Sequence, residues 1–273
     1  MNILAVKNKY MYKVITTARS KMFSILYRTY SLVGGKNTIS VYCYHSFAND
    51  TWPYSIKPPE FKKQIKRLIH DGYNFKSIDD LSMHITGKKL LLGKIAVITI
   101  DDGYENVHDI VDFMLKNSIP GAFFILAHPE HVDRSEIDNT YKLLSMQQIK
   151  KLSKMGFTIG FHGSTHKNLT TLNTSELNAE ISLGKKTLEK KLGHKIVHFA
   201  YPKGRFNQKV IKHIRRSGFE TAFAMGDINV HQKDNIFEIP RIGIDNSYSL
   251  ADFISLSSPL VISTKKLIHK MYI

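Results

Sequence analysis

The feature that most constrains this chain is alternation. Short apolar runs recur at 38–44, 74–78, 95–100, 122–126, 157–161, 196–200, 221–224 and 236–244. Helix-patterned segments at 59–72, 77 onward, 107–117, 146–155, 174–192 and 208–217 lie between most of them. In 59–72, Phe61, Ile65, Leu68 and Ile69 fall on one face. Ser77 opens the second helix, and Thr174 or Ser175 reads as the cap of the long one. Strands that alternate with helices and carry continuous apolar runs are parallel and covered on both faces. Seven or eight such units fit a closed (β/α) barrel, whose reactive residues stand at the C-terminal strand ends.

The run Ile95–Ile100 ends in Asp101-Asp102-Gly103. Successive strand residues point to opposite sides, so the two carboxylates can take different tasks. Two anions leaving a buried strand call for a metal ion or a buried cation; the plainer alternative is an Asp capping the next helix. The run 157–161 leads into His162-Gly-Ser-Thr-His166. Its two imidazoles, four residues apart, can reach one ion, and two His with one carboxylate leave positions open for water and substrate.

These residues resemble the motifs of the polysaccharide deacetylases, the NodB-homology family of carbohydrate esterases. Thr99-Ile-Asp-Asp-Gly103 is similar to their T-F-D-D-G motif, and His162-Gly-Ser-Thr-His166 to their H-x-x-x-H motif. Phe199-Ala-Tyr-Pro-Lys-Gly204 resembles a third motif and Pro240-Arg-Ile242 a later one, so the likeness spans about residues 38–245. Tyr42-Cys-Tyr-His-Ser-Phe47 resembles the Y-H motif of the branch acting on poly-N-acetylglucosamine. The resemblance implies an α/β fold, a distorted (β/α)7-type barrel, and a metal-dependent hydrolase of carbon–nitrogen, non-peptide bonds that removes N-acetyl groups from an amino sugar or glycan. It implies a divalent metal, zinc first and cobalt, nickel or iron as alternatives, on Asp102, His162 and His166. It implies Asp101 as general base and the main-chain N–H of Lys203 at the oxyanion. His45 is expected as the general acid; His269 is the late alternative, in a poorer context. The family's usual Arg in the third motif is Ala200 here, so Arg241, with Arg205 as runner-up, is expected to brace Asp101. Lys203 replaces the usual aromatic, and Ile100 the usual Phe. Tyr104, Tyr201, Phe206 and Trp52 are candidates for stacking on a sugar or for simple packing. A barrel that binds carbohydrate without turnover is the alternative reading.

Composition bears on partners. The chain of 273 residues has 39 Lys and Arg against 23 Asp and Glu, a formal charge of +16. A basic surface fits an acidic or lipid-linked glycan, or an anionic membrane. The chain has no nucleic-acid motif or zinc-finger spacing, so nucleic acid is not the expected partner. The single cysteine, Cys43, excludes an internal disulfide and reads as a core residue. Residues 1–37 form a basic extension with no apolar stretch long enough for a signal peptide or a membrane span. It reads as a helix across the barrel bottom or as a basic amphipathic helix on a membrane. Residues 38–273 are the expected single catalytic domain, and the expected location is cytoplasmic, with peripheral contact at the inner membrane face. The polar loop 128–141 reads as a substrate-facing insertion.

Overall fold

The computed structural model describes residues 18, 20–27, 29, 37–132, 137, 141–226, 228–258, 260, 261 and 264. Its strands are β1 (Thr38–Tyr44), β2 (Asn74–Phe75), β3 (Lys94–Ile100), β4 (Gly121–Ile125), β5 (Thr158–Phe161), β6 (His198–Ala200), β7 (Thr221–Met225) and β8 (Ile239–Gly243). All pair in parallel. The order β1-β8-β7-β6-β5-β4-β3, with β1 also pairing β3, closes a ring of seven strands. Strand β2 is a stub on the outer part of β3, paired only through Asn74 and Phe75.

The helices are α1 (Pro58–His70), α2 (Ile78–Ile85), α3 (His108–Lys116), α4 (Met146–Lys154), α5 (Thr174–Leu177), α6 (Gly184–Leu192), α7 (Gln208–Arg216) and α8 (Leu250–Ser255). The longer ones bury apolar stripes, such as Phe61, Ile65 and Leu68 on α1 and Val210, Ile211 and Ile214 on α7. Ile69, expected on the α1 stripe, is 44% exposed, because it falls beyond the edge of the buried arc. The long helix expected at 174–192 is broken into α5, a π-helical segment (Asn178–Leu183) and α6. Its cap is Asn173, whose side chain accepts from the Glu176 N–H while Glu176 bonds back to the Asn173 N–H, rather than Thr174 or Ser175.

Strand parity sorts the interior from the helix-covered exterior. Ile39, Val41, Ile95, Val97, Phe124, Ala200, Phe223 and Ile239 form one cluster, and Tyr42, Tyr44, Ile98, Phe123 and Phe199 belong to another beneath the helices. On β3 the inward file Ile95, Val97, Thr99 continues to Asp101, and on β8 Ile239 is followed inward by Arg241. The interior file therefore ends in charged residues at the C-terminal rim.

Within the basic extension, residues 20–27 are helical, Phe23 is 2% exposed, and Tyr27 packs against the outer core. Ser20 Oγ lies 3.2 Å from Ser249 Oγ. This part of the extension is packed on the barrel. Most of 1–37, much of the 128–141 loop and His269 lie outside the described residues. Among the described residues, no helix is long and apolar enough to cross a membrane.

Candidate active site

The cleft at the C-terminal rim has a volume of about 310 Å³. It is lined by His45 after β1, Asp101 and Asp102 after β3, His162 and His166 after β5, Tyr201, Lys203, Gly204 and Arg205 after β6, Met225 and Arg241, with Trp52 and Tyr54 at one wall.

Arg241 and Asp101 form its fixed centre. Arg241 Nη1 donates to Asp101 Oδ1 at 2.7 Å and Nη2 to Oδ2 at 2.7 Å, while Nη1 also reaches Thr99 Oγ1 at 3.2 Å. Arg241 is 0% exposed and Asp101 2%. Burial alone would raise the Asp101 pKa, but the Arg241 guanidinium, helped by His162, holds it well below the usual carboxylate range. The Cys43 thiol donates to Asp101 Oδ2 at 3.5 Å, and burial keeps that thiol protonated by pushing its pKa up.

Asp102 faces the other way. Its φ of 68° is left-handed, a conformation that costs an Asp little and turns its carboxylate toward the β5 loop. Asp102 Oδ1 lies 3.4 Å from His162 Nε2 and 3.4 Å from His166 Nε2. His162 Nδ1 is 2.8 Å from the Ala200 carbonyl oxygen, which can only accept, so Nδ1 carries the proton and Nε2 presents its lone pair. Burial pushes the His166 pKa down to about 4, against the pull of Asp102, so its imidazole is neutral at neutral pH. Burial also lowers that of His162, but Asp101 and Asp102 outweigh it and the net shift is upward. Asp102 Oδ1 and His166 Nδ1 are buried without a hydrogen-bond partner among the described residues. An orphaned carboxylate oxygen between two imidazole nitrogens is a donor set that fits a divalent ion, and the three ligand atoms lie within 4.8 Å of one another.

Glu180, in the π-helical segment, holds the histidine loop. Its Oε1 accepts from the Thr165 N–H at 2.7 Å and its Oε2 from the Thr165 hydroxyl at 2.9 Å. Ser164 Oγ donates to the Glu180 carbonyl at 2.9 Å. No reading of the motifs singles out Glu180. The available signal is a carboxylate between Leu177, Ile181 and Gly184, on the apolar stripe of its helix.

His45 stands at the end of β1, with a ring nitrogen, Nδ1, unpartnered among the described residues and Tyr54 at 5.1 Å between ring centroids. Burial lowers its pKa, against Asp102 and Asp101. Lys203 has φ 60°, so the loop after β6 makes a left-handed turn at the cleft. The aromatic candidates separate. Tyr201 is 0% exposed, stacks on Phe206 at 4.7 Å and donates its hydroxyl to the Phe237 carbonyl, so it supports the cleft wall by packing. Tyr104 is 0% exposed, sits with Leu126 and Ile137 behind Trp52, and does not line the cleft. Of the two roles open to Tyr104, stacking on a sugar or packing, its burial fits packing, and Trp52 and Tyr54 form the cleft wall in front of it. Arg205 is exposed at the mouth, and Arg241 is the arginine in contact with Asp101.

Comparison with known proteins bears on the fold and the family. The chain is similar to YxkH of Bacillus subtilis, named as a polysaccharide deacetylase, with 22% identity over 222 residues covering 79% of this chain and 74% of that one. It is similar to the poly-beta-1,6-N-acetyl-D-glucosamine N-deacetylase of Staphylococcus epidermidis, with 25% identity over 71% of this chain and 69% of the other. Its fold is that of the Streptococcus pyogenes deacetylase PplD, with a TM-score of 0.71 at 18% identity over 82% of this chain and all of that one. Residues 89–222, which include the Asp pair and both histidines, match the polysaccharide deacetylase family model, and the chain belongs to the polysaccharide deacetylase family.

Proposed function

We propose that this chain is a metal-dependent hydrolase that removes N-acetyl groups from an amino sugar within a glycan. The observation that carries the reading is the division of labour between adjacent carboxylates. Asp101 is held in place by two bonds from Arg241, while Asp102 Oδ1 is orphaned between two imidazole nitrogens.

Asp102, His162 and His166 would hold the ion. When bound, a divalent ion supplies Lewis acidity, acidifying water and polarising an acyl oxygen. Asp101, kept ionised by Arg241, accepts the proton of the attacking water. The main-chain N–H of Lys203 stabilises the charge developing on the acyl oxygen. His45 donates a proton to the departing nitrogen as the C–N bond breaks, releasing acetate and a free amine. Trp52 and Tyr54 flank His45 and present aromatic faces to a sugar ring. Ligand softness admits zinc, cobalt, nickel or iron, with zinc the first choice.

The test pairs bound metal with acetate release on N-acetylglucosamine oligomers for wild type and Asp101→Asn. Near-stoichiometric metal in both proteins, with acetate from wild type alone, is expected. Absence of metal from both after reconstitution with zinc and cobalt sinks the proposal.

A further inference from the structure

The net charge of the chain is concentrated. Helices α4, α6 and α7 contain eleven Lys and Arg residues and one acidic residue, Glu189, and so carry ten of the sixteen net positive charges. Outside these helices and the terminal segments 1–36 and 259–273, the balance reverses, with 18 Lys and Arg against 22 Asp and Glu. The three helices follow β4, β5 and β6 and are neighbours on the barrel wall: α4 touches α6, and α7 touches the segment preceding α6.

Ten of the eleven cations are exposed. The other, Lys185, is paired with Glu189 at 2.8 Å. Among the described residues none of the ten exposed cations is in an ion pair with a carboxylate. Their arrangement leads to the cleft. Helix α7 begins three residues after Arg205 and runs away from the rim, so Lys209 and Lys212 stand nearest the mouth, with Arg216 a turn further. Lys209 Nζ donates to the Leu172 carbonyl on the neighbouring rim loop, which fixes that end of the path. At the mouth itself Lys203 and Arg205 line the cleft, and among the described residues the only carboxylates lining it are Asp101 and Asp102.

We propose that the glycan processed here is polyanionic, bearing carboxylate or phosphate groups along its length, and that it runs from the cleft mouth at Lys203 and Arg205 onto the basic flank of α7. This deepens the deacetylase reading and rests on it. A neutral glycan gives such a flank nothing to bind. A bilayer surface is disfavoured because, among the described residues, Leu183 is the one large exposed apolar residue beside the flank, too little for an apolar anchor. A strip of exposed cations that form no ion pair with a carboxylate among the described residues suits a flexible polyanion that lies along it and displaces counterions.

The experiment compares metal-loaded wild type with Arg205→Ala and with a triple variant, Lys209→Glu, Lys212→Glu, Arg216→Glu. Both act on N-acetylated oligosaccharides of equal length, one neutral and one carrying a carboxylate on alternate residues. A phosphate-bearing oligomer forms a separate arm. The expected result is a kcat/KM at least about tenfold higher on an anionic oligomer at low salt, shrinking as salt screens the contacts. The triple variant should lose that advantage through KM while keeping wild-type kcat on the neutral oligomer. Equal kcat/KM on neutral and anionic oligomers, unaffected by salt, overturns the inference and leaves deacetylation standing. Acetate from no substrate fails the deacetylase reading instead. Binding of the anionic oligomers to Asp101→Asn, measured by calorimetry, then decides this one: salt-sensitive binding lost in the triple variant supports it, and no binding overturns it. Equal affinity for single-stranded DNA of the same charge also overturns it, since the strip would then recognise charge alone.

Discussion

Arg241→Met removes the guanidinium from Asp101 while keeping a long apolar stem against Phe124, over whose ring the guanidinium now lies at 5.4 Å. Two hydrogen bonds of 2.7 Å vanish, and a carboxylate that is 2% exposed is left without its main counter-charge. Breaking a buried pair from one side costs about 3–5 kcal/mol. For a chain of this size that is a fall in Tm of roughly 6–20 °C, at about 2–4 °C per kcal/mol. The pH dependence gives a sharper signature. In the wild type the folded pKa of Asp101 is depressed, so its contribution to stability is present above the unfolded value of about 3.9 and is lost as pH falls through the folded pKa. In the variant the largest opposing charge is gone, only His162 and His45 still act against burial, and the folded pKa moves upward. The Asp101 contribution then declines as pH rises toward neutrality, so the stability gap between variant and wild type widens with pH. The same protonation silences the base, so the acid limb of the pH–rate profile moves upward and the rate at neutral pH falls. Urea titrations from pH 4 to 8, with acetate release over the same range, measure both. Arg241→Met with Asp101→Asn removes both charges and should recover most of the lost stability while staying inactive. If Arg241→Met melts with wild type and keeps its acid limb, Arg241 neither fixes nor ionises Asp101.

Three further outcomes are expected. His45→Gln should lose the alkaline limb of the rate profile, because an acid catalyst fails as pH rises through its pKa; pH–rate measurements should also show a maximal rate about 10²–10⁴-fold lower. Gly184→Ala should weaken metal binding, read by competition with a chromophoric chelator. Its Cβ would overlap Ser164 Oγ, with Phe161 Cζ at 3.0 Å, so the loop between His162 and His166 must shift; wild-type metal affinity would show that the loop absorbs the overlap without moving its ligands. Phe23→Ala should destabilise the barrel by about 3–5 kcal/mol in urea titration, the usual cost of truncating a buried Phe, and an unchanged midpoint would mean that the helix at 20–27 adds nothing to the fold.

The strands and the two chemical motifs are legible because each strand is a continuous apolar run broken abruptly by charge or glycine. Parity then places Asp101 in line with Ile95, Val97 and Thr99. Other features depend on distance in space. Glu180 is a single carboxylate until the fold sets it 2.7 Å from Thr165 N. Tyr104 follows the Asp pair directly, yet it turns behind Trp52 because the chain leaves Gly103 with φ +77° and pairs with Leu143. The π-helical segment has no signature in apolar spacing. Helix α8 did carry one, the reciprocal Ser249–Asp252 cap, but its six residues are too few for a periodic pattern.

The barrel's hydrogen-bond ladder is uneven. Strands β1 and β3 share seven paired positions, whereas β1 and β8 share two and β5 and β6 one. Both thin seams are crossed by side chains of the site: Arg241 reaches from β8 past β1 to Asp101, and His162 reaches from β5 to the Ala200 carbonyl at the end of β6. Two side chains of the cleft are therefore also fasteners. Amides beside those seams should be the first in the ring to exchange with deuterium when either fastener is cut. An inactive variant of this protein thus reports on a loosened hoop as well as on missing chemistry.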